Sequence, residues 1–197
     1  MLEASFANPA HDLARAFRIM LDAMARPGRI YPFVPELSPP PAFDRESAAI
    51  ALVLCDFQTP VWLGKNLRNP EIEKFLRFHT GAPLTASKED ATFAFINAGF
   101  PLPDLSRLLT GTHEYPDRSA TLVITTDSLE PSAGVVLSGP GIEKTQLFNA
   151  PPLDRQFWST MIQSRTGFPL GIDVFFVSDG ALAAIPRSTR IAMAEAR

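Results

Sequence analysis

The stretch IDVFFVSDGALAAI, residues 172–185, predicts the centre of the fold. Ile172 to Val177 is apolar at nearly every position, so a strand built from it must be covered on both faces. Asp179-Gly180 then predicts a tight turn, and Leu182 to Ile185 provides the returning strand of a hairpin. We therefore expect a buried central strand with an antiparallel neighbour.

Shorter β-type runs precede this hairpin and are separated from one another by Gly, Pro or Asp. They are Val61–Leu63, Phe93 with Phe95, Leu122–Thr125 and Val135–Leu137. We expect all of them to join the central strand in one mixed sheet. Gly139-Pro140-Gly141 follows the last run and predicts a hairpin turn, because Pro140 removes one of the N–H donors that a phosphate loop requires.

Helical periodicity predicts a first helix near the start of the chain. Asn8 is its expected N-cap and Pro9 its first residue, where a missing N–H is tolerated. Its buried stripe is expected to consist of Leu13, Phe17, Met20, Leu21 and Met24. Arg26-Pro27-Gly28 ends the helix.

Three further helices are indicated by their end signals. They are expected at Asp44–Cys55, Asn69–Gly81 and Leu153–Ser164. Asp44 and Asn69 are the predicted N-caps of the first two, and Gly81 and Gly167 are predicted C-caps. Together with the mixed sheet, these helices indicate an α/β fold in which helices flank the sheet.

Length and composition favour one domain over residues 1–197. The chain is 46% hydrophobic and has no apolar run near the roughly 20 residues of a spanning helix, so a membrane is not expected. Its 18 Lys and Arg and 21 Asp and Glu give a net charge of −3 without a basic stripe, which disfavours nucleic acid. The lack of a signal-peptide pattern and the single cysteine, Cys55, favour the cytoplasm.

Two candidate binding residues lie on the third predicted helix. Ile72, Phe75, Leu76 and His79 share one helix face, so His79 is expected to be a core or capping histidine, with anion or partner binding as the alternative. Arg77 lies off this face. Both an anion or partner contact and an ordinary solvated arginine are open interpretations for it.

Pro186-Arg187-Ser188-Thr189 is the stronger anion candidate. Beyond the last predicted strand, the Arg187 fork and the hydroxyls of Ser188 and Thr189 would form an anion- or partner-contacting corner. In the alternative, Ser188 only caps a helical C-terminal tail. Asp173 begins the most buried strand, so we expect it to be paired or hydrogen-bonded in a structural role.

Metal and acyl-transfer chemistry lack their usual patterns. His11, His79 and His113 are isolated, and no Cys-x-x-Cys or His-Glu-x-x-His spacing occurs. No Gly-x-Ser-x-Gly motif presents a nucleophilic serine. We expect neither a metal site nor a catalytic residue in this chain.

Six short phrases of unusual composition are spread along the chain. They are Pro60–Leu63, Leu76–Leu84, Ala91–Ala94, Gly139–Ile142, Phe168–Asp173 and Ala184–Thr189. In these phrases the chain resembles, almost from end to end, the PhnH family, the H subunits of the bacterial carbon-phosphorus lyase core complex.

The resemblance implies a fold similar to the large domain of pyridoxal-phosphate-dependent transferases, without the cofactor. It also implies partnership with the G, I and J subunits and a homodimer in isolation. The implied reaction, part of phosphonate catabolism, displaces adenine from ATP with an alkylphosphonate and yields an α-D-ribose 1-alkylphosphonate 5-triphosphate. In the family this chemistry is attributed to the I subunit, so the resemblance implies an accessory role without independent activity.

Two other function classes stay open. A pyridoxal-phosphate enzyme requires a lysine in a partly buried setting, whereas Lys65, Lys74, Lys88 and Lys144 are predicted to lie in polar turns or on a polar helix side. A free-standing phosphonate- or nucleotide-binding protein is the other class. Absorbance of the purified protein tests the first class, and co-purification with the other core subunits tests the second.

Overall fold

The computed structural model describes residues 9–99, 102 and 104–194, and only the backbone of Pro9 and Ala133 among them. The helices are α1 (Pro9–Ala25), α2 (Arg45–Leu54), α3 (Pro70–Thr80) and α4 (Arg155–Ser164). The strands are β1 (Tyr31–Pro32), β2 (Val61–Leu63), β3 (Phe93–Asn97), β4 (Thr121–Thr125), β5 (Glu130–Ser138), β6 (Gln146–Asn149), β7 (Asp173–Ser178), β8 (Ala181–Ile185) and β9 (Arg190–Met193).

The larger sheet has six strands in the order β1-β8-β7-β4-β3-β2. Strands β2, β3, β4 and β7 run parallel, whereas β8 is antiparallel to its neighbours β7 and β1. The predicted central strand and the hairpin through Asp179-Gly180 are both confirmed. The predicted α/β class, a mixed sheet flanked by helices, is confirmed as well.

The side chains of β7 alternate between two hydrophobic cores. Phe175 and Val177 belong to a core shared with α1, α2 and α3, and Val174 and Phe176 belong to a second core with α4. Because successive residues of a strand face opposite sides of the sheet, both cores are built on the same strands. This two-sided burial explains the unbroken apolar run in the sequence.

A second, three-stranded antiparallel sheet in the order β6-β5-β9 contributes to the α4 side. Val135, Leu137, Phe148 and Ile191 are its buried members in the second core. The expectation that Val135–Leu137 would join a single sheet was therefore wrong. A half-buried strand pattern shows which face is covered, but it does not show which strand lies alongside.

The chain after β8 also differs from the expectation of a helical tail. Over its described residues it turns and forms β9, which pairs with β5 from Val135↔Met193 to Ser138↔Arg190. Burial of Ile191 between exposed neighbours gives this short segment the period of a strand.

Helix ends that depend on local hydrogen bonds match the sequence. The Asp44 carboxylate accepts from the Ser47 N–H at 2.7 Å, and Asn69 accepts from the first turn of α3. Gly81 ends α3 in the left-handed region with a φ of 70°. The predicted cap of α1, Asn8, lies outside the described residues.

The buried stripe of α1 is rotated relative to the predicted one. Ala16, Met20 and Ala23 are buried, while Phe17 is 49% exposed and Leu21 is 58% exposed. The predicted members Met20, Leu13 and Met24 do pack against the core, the last two partly buried. The prediction was wrong for Phe17 and Leu21, because the small residues Ala16 and Ala23 complete the buried face instead.

The end of α4 is the second local correction. Arg165, rather than Gly167, is the C-cap, and a 3-10 turn over Arg165–Gly167 follows. The Arg165 guanidinium donates to the carbonyl oxygens of Ile172 and Ile185, which draws this segment toward the sheet.

Gly139–Ile142 forms the β-turn that leaves β5. The Ile142 N–H donates to the Gly139 carbonyl oxygen at 3.1 Å, and Gly141 has a φ of 82°. Pro followed by a glycine with positive φ is the pattern of a type II turn. A turn at Gly139–Ile142 is therefore confirmed, but the prediction of a tight hairpin was wrong, because the connection to β6 continues through Thr145.

We expect Gly141→Ala to destabilise the fold by about 2–4 kcal/mol. A Cβ at this position would lie 2.1 Å from the Ala25 carbonyl oxygen, and the positive φ adds strain. Urea denaturation measures the loss. Gly167→Ala is the matched control, because its Cβ would meet its nearest neighbour only at 4.0 Å; an equal loss in both variants would contradict the expectation.

Candidate functional site

The sequence-predicted corner, Pro186–Thr189, is the turn that joins β8 to β9. It does not lie beyond the last strand, because β9 follows it. The Arg187 guanidinium donates to the Pro116 carbonyl oxygen and to the Ser119 hydroxyl. The Arg187 side chain is only 21% exposed, so its fork is directed into the protein.

Asp173 links this turn to the start of β7. The Arg187 main-chain N–H donates to Asp173 Oδ1 at 2.7 Å, and Arg187 Nη2 lies 3.9 Å from Asp173 Oδ2. The expectation that Asp173 would be hydrogen-bonded is confirmed. One carboxylate thus holds both the backbone and the side chain of Arg187.

Arg165 is a member of this cluster that the sequence reasoning missed. Burial lowers the pKa of Arg165 to about 10, an effect that the carboxylate of Asp173 opposes and the charge of Arg187 increases. A predicted buried acid at Asp173 called for a cation, and Arg165, eight residues earlier, is the arginine nearest to it in sequence. This proximity is the sequence signal that could have identified Arg165.

The two hydroxyls of the turn have different surroundings. Thr189 is only 1% exposed, and its Oγ1 is buried without a hydrogen-bond partner among the described residues. Ser188 is half-buried. Arg187, Ser188 and Thr189 are therefore close in the chain, but the Arg187 fork and the Thr189 hydroxyl are both directed into the protein, so the three groups do not form one surface site.

His79 and Arg77 lie on α3, on the opposite face of the large sheet from β9. The His79 ring packs 4.6 Å from the Phe75 ring and 5.0 Å from the Phe78 ring, and burial lowers its pKa. Its buried Nε2 has no hydrogen-bond partner in the described part of the chain. The packing of the ring agrees with the core interpretation, but its Nε2 lacks the hydrogen bond expected of a core histidine. Arg77 is exposed and lies 3.8 Å from Glu73.

The start of α2 covers the carboxyl ends of β4 and β7, one of the places where open α/β sheets bind ligands. Thr125 Oγ1 donates to Asp44 Oδ2 at 2.5 Å and lies 3.3 Å from the Ser47 hydroxyl. Glu46 is buried and accepts from the Gly180 N–H at 3.0 Å, and burial raises its pKa. Beyond the end of β3, by contrast, a cavity of about 550 Å³ lies beside Ala98.

Groups for metal or cofactor chemistry are sparse among the described residues. They contain no cluster of three His, Cys, Asp or Glu side chains suited to a metal ion. Lys65, Lys74 and Lys144 are exposed and Lys88 is half-buried, so no lysine belongs to either core. Cys55 is buried, which raises the pKa of its thiol. No helix in the described ranges has both the length and the apolar character of a bilayer-spanning segment.

Comparison with known proteins identifies the family. Residues 4–192 match the family described as "Bacterial phosphonate metabolism protein (PhnH)". The chain belongs to the PhnH family. The resemblance in the six short phrases is thus confirmed across nearly the whole chain.

Two relatives extend over most of the chain. It is 36% identical over 187 residues to the "Alpha-D-ribose 1-methylphosphonate 5-triphosphate synthase subunit PhnH" of Rhizobium meliloti (strain 1021), covering 95% of this chain and 94% of that one. It is 28% identical over 176 residues to HtxG of Stutzerimonas stutzeri, whose name assigns it provisionally to a C-P lyase. That match covers 89% of this chain and 84% of HtxG.

We expect Arg187→Ala to lower the free energy of unfolding by about 1–3 kcal/mol, because it leaves the Pro116 carbonyl oxygen and the Ser119 hydroxyl without their donor and removes a cation beside Asp173. Thermal denaturation measures the loss, and Arg190→Ala, an exposed arginine three residues away, is the control. The sequence-based hypothesis of an anion- or partner-contacting corner predicts the reverse. Normal stability of Arg187→Ala together with weakened assembly would favour that hypothesis.

The buried His79 ring predicts a pH dependence of stability. Its folded-state pKa is lowered, so the unfolded chain binds more protons and stability falls as the pH drops below about 6.5. His79→Gln should make the urea midpoint less sensitive to pH between about 7 and 5. His113→Gln, at an exposed histidine, should keep the wild-type dependence; identical profiles for wild type and His79→Gln would refute this reasoning.

Proposed function

We propose that this chain, acting as one domain over residues 1–197, is a subunit of a carbon-phosphorus lyase core complex in phosphonate catabolism. There it supports the ATP-dependent formation of an α-D-ribose 1-alkylphosphonate 5-triphosphate. The observation that carries the proposal is the 36% identity, over 95% of the chain, to a relative named as a subunit of that synthase. The second relative, named for a C-P lyase, supports the same role.

The proposed partners are the G, I and J subunits of the core complex, and the isolated chain is proposed to form a homodimer in the cytoplasm. A buried lone Cys55 fits a reducing compartment, because one thiol forms no internal disulfide. The large sheet with helices on its faces is compatible with a pyridoxal-phosphate-transferase-like fold that functions without the cofactor.

An accessory role fits the chemistry of the described residues better than independent catalysis does. The Arg165–Asp173–Arg187 cluster forms its contacts within the protein, and α2 covers the carboxyl ends of β4 and β7. The alternatives are a free-standing phosphonate- or nucleotide-binding protein and a pyridoxal-phosphate-dependent transferase. Neither alternative explains why the relatives are named as subunits.

The helical layer, defined as α1, α2, α3 and the residues just after α2, offers an apolar surface for such partners. Phe17 and Leu21 lie one turn apart on α1 and are about half exposed. Phe57 is 73% exposed and Phe78 is 67% exposed. Exposed aromatic side chains of this size are typical of protein interfaces, and Arg77 beside Phe78 adds the charged residue most enriched there.

Assembly with the core subunits tests the proposal. The chain should co-purify with co-expressed G, I and J subunits, and purified chain alone should release no adenine from ATP and methylphosphonate. Adenine release by the chain alone would establish independent catalysis. Failure to associate with any of the three subunits would exclude the proposed role.

The double variant Phe17→Ser with Leu21→Ser should weaken this association by roughly tenfold or more while the fold stays intact. The two substitutions remove apolar contact area from the complex but little from the monomer, because both side chains are about half exposed in the monomer. Quantitative pull-down measures the effect, and Arg18→Ser, an exposed residue between them, is the control. Undiminished capture of the double variant would show that this part of the helical layer is not the contact surface.

A further inference from the structure

A positively charged cleft lies between the end of α1 and the β5–β6 connection. Its volume is about 420 Å³, which falls in the range of small-molecule sites. Arg26 and Arg29 line one wall and Lys144 the other. Glu143 is the one carboxylate among the lining residues. The cleft is therefore net positive, in a chain whose net charge is −3.

The two arginines of the cleft are held in position by neighbouring groups. Arg26 Nη1 lies 2.5 Å from Asp22 Oδ1, one helical turn earlier. The Arg29 guanidinium lies over the Tyr31 ring at 5.5 Å from the centroid. Fixed guanidinium groups lose less conformational entropy when they bind an anion than mobile ones do.

The backbone around the cleft packs closely against neighbouring elements. Gly28 donates its N–H to the Ala184 carbonyl oxygen at 3.0 Å, and a Cβ on Gly28 would lie 2.5 Å from Leu137 Cδ1. A Cβ on Gly141 would lie 2.1 Å from the Ala25 carbonyl oxygen. The wall with Arg26 and Arg29 is thus joined to β8 and to the second core, and the turn before Lys144 packs on the end of α1, so the cleft has a closely packed base.

We propose that this cleft binds the polyphosphate group of a small molecule. Arginine forks suit phosphate oxygens, and Lys144 adds a point charge from the opposite wall. Arg29 and Lys144 on opposite walls, with Arg26 shared with Asp22, match several linked phosphates better than a single one. The choice of a polyphosphate rests on the proposed function, since the relative's name includes a 5-triphosphate product, whereas the excess of positive charge does not depend on it.

Calorimetric titration of the purified chain with inorganic tripolyphosphate, in metal-free buffer of low ionic strength, tests the site. We expect saturable one-to-one binding that weakens as salt is added. Arg29→Gln and Lys144→Gln should each weaken it about tenfold, the equivalent of about 1.4 kcal/mol. Lys65→Gln removes the same charge at an exposed position after β2, at the far edge of the large sheet, and should bind like wild type.

Absence of saturable binding would overturn the inference, as would an equal loss in Lys65→Gln. Orthophosphate binding as tightly as tripolyphosphate would overturn the polyphosphate assignment. Co-purification separates this result from the proposed function. A chain that joins the core subunits without binding tripolyphosphate refutes the cleft alone, and one that binds tripolyphosphate without joining them refutes the proposed function alone.

Discussion

Two-sided burial of β7 is the constraint on which the rest of the structure depends. Phe175 is buried under the helical layer, while Phe176 lies 5.2 Å from the Phe148 ring and 5.8 Å from the Trp158 ring on the other side. A slip of one residue would exchange these faces and mismatch both cores at once. The register is also held from outside the strand, by the Arg187 N–H on Asp173 at one end and by the Thr126 N–H on the Val177 carbonyl oxygen at the other.

This register decides where function can reside. It brings the ends of β4 and β7 under the start of α2, where Asp44 meets Thr125 and Glu46 meets the Gly180 N–H. Hydrogen bonds within the chain thereby close the carboxyl ends of β4 and β7. The end of β3 is not covered in this way, because a cavity of about 550 Å³ lies beside Ala98, the residue that follows this strand.

The features that sequence predicted well are those determined within a few residues. Asp44 and Asn69 cap helices through bonds to the next turn, and the hairpin at Gly180 needs only a positive φ. The features that it missed depend on residues far away in the chain. Val135 pairs with Met193 and Leu137 with Ile191 in a separate sheet, across more than fifty residues. The buried face of α1 is set by its packing against β8 and α2.

The candidate site shows the same division between local and distant information. Arg187 was selected from its own chemistry and its neighbours in the phrase, and that chemistry is correct: the fork does bind oxygen atoms. Its acceptors are Pro116 and Ser119, about seventy residues earlier, and no local pattern indicates them. The cleft was missed for a related reason, because Arg26, Arg29 and Lys144 are scattered in sequence and only the contact between Gly141 and the end of α1 brings them together.

An accessory subunit with a cation-lined cleft has a definite place in the energetics of the proposed reaction. Substitution at the ribose carbon leaves the triphosphate chemically unchanged, yet that group carries most of the negative charge of ATP. Binding energy from such a remote part of a substrate can be used to orient the reacting carbon, even when the groups that react belong to another subunit. A chain that contacts its partners through the helical layer and holds phosphates near Arg29 and Lys144 would contribute to turnover by positioning alone, without a nucleophile, a metal or a cofactor of its own.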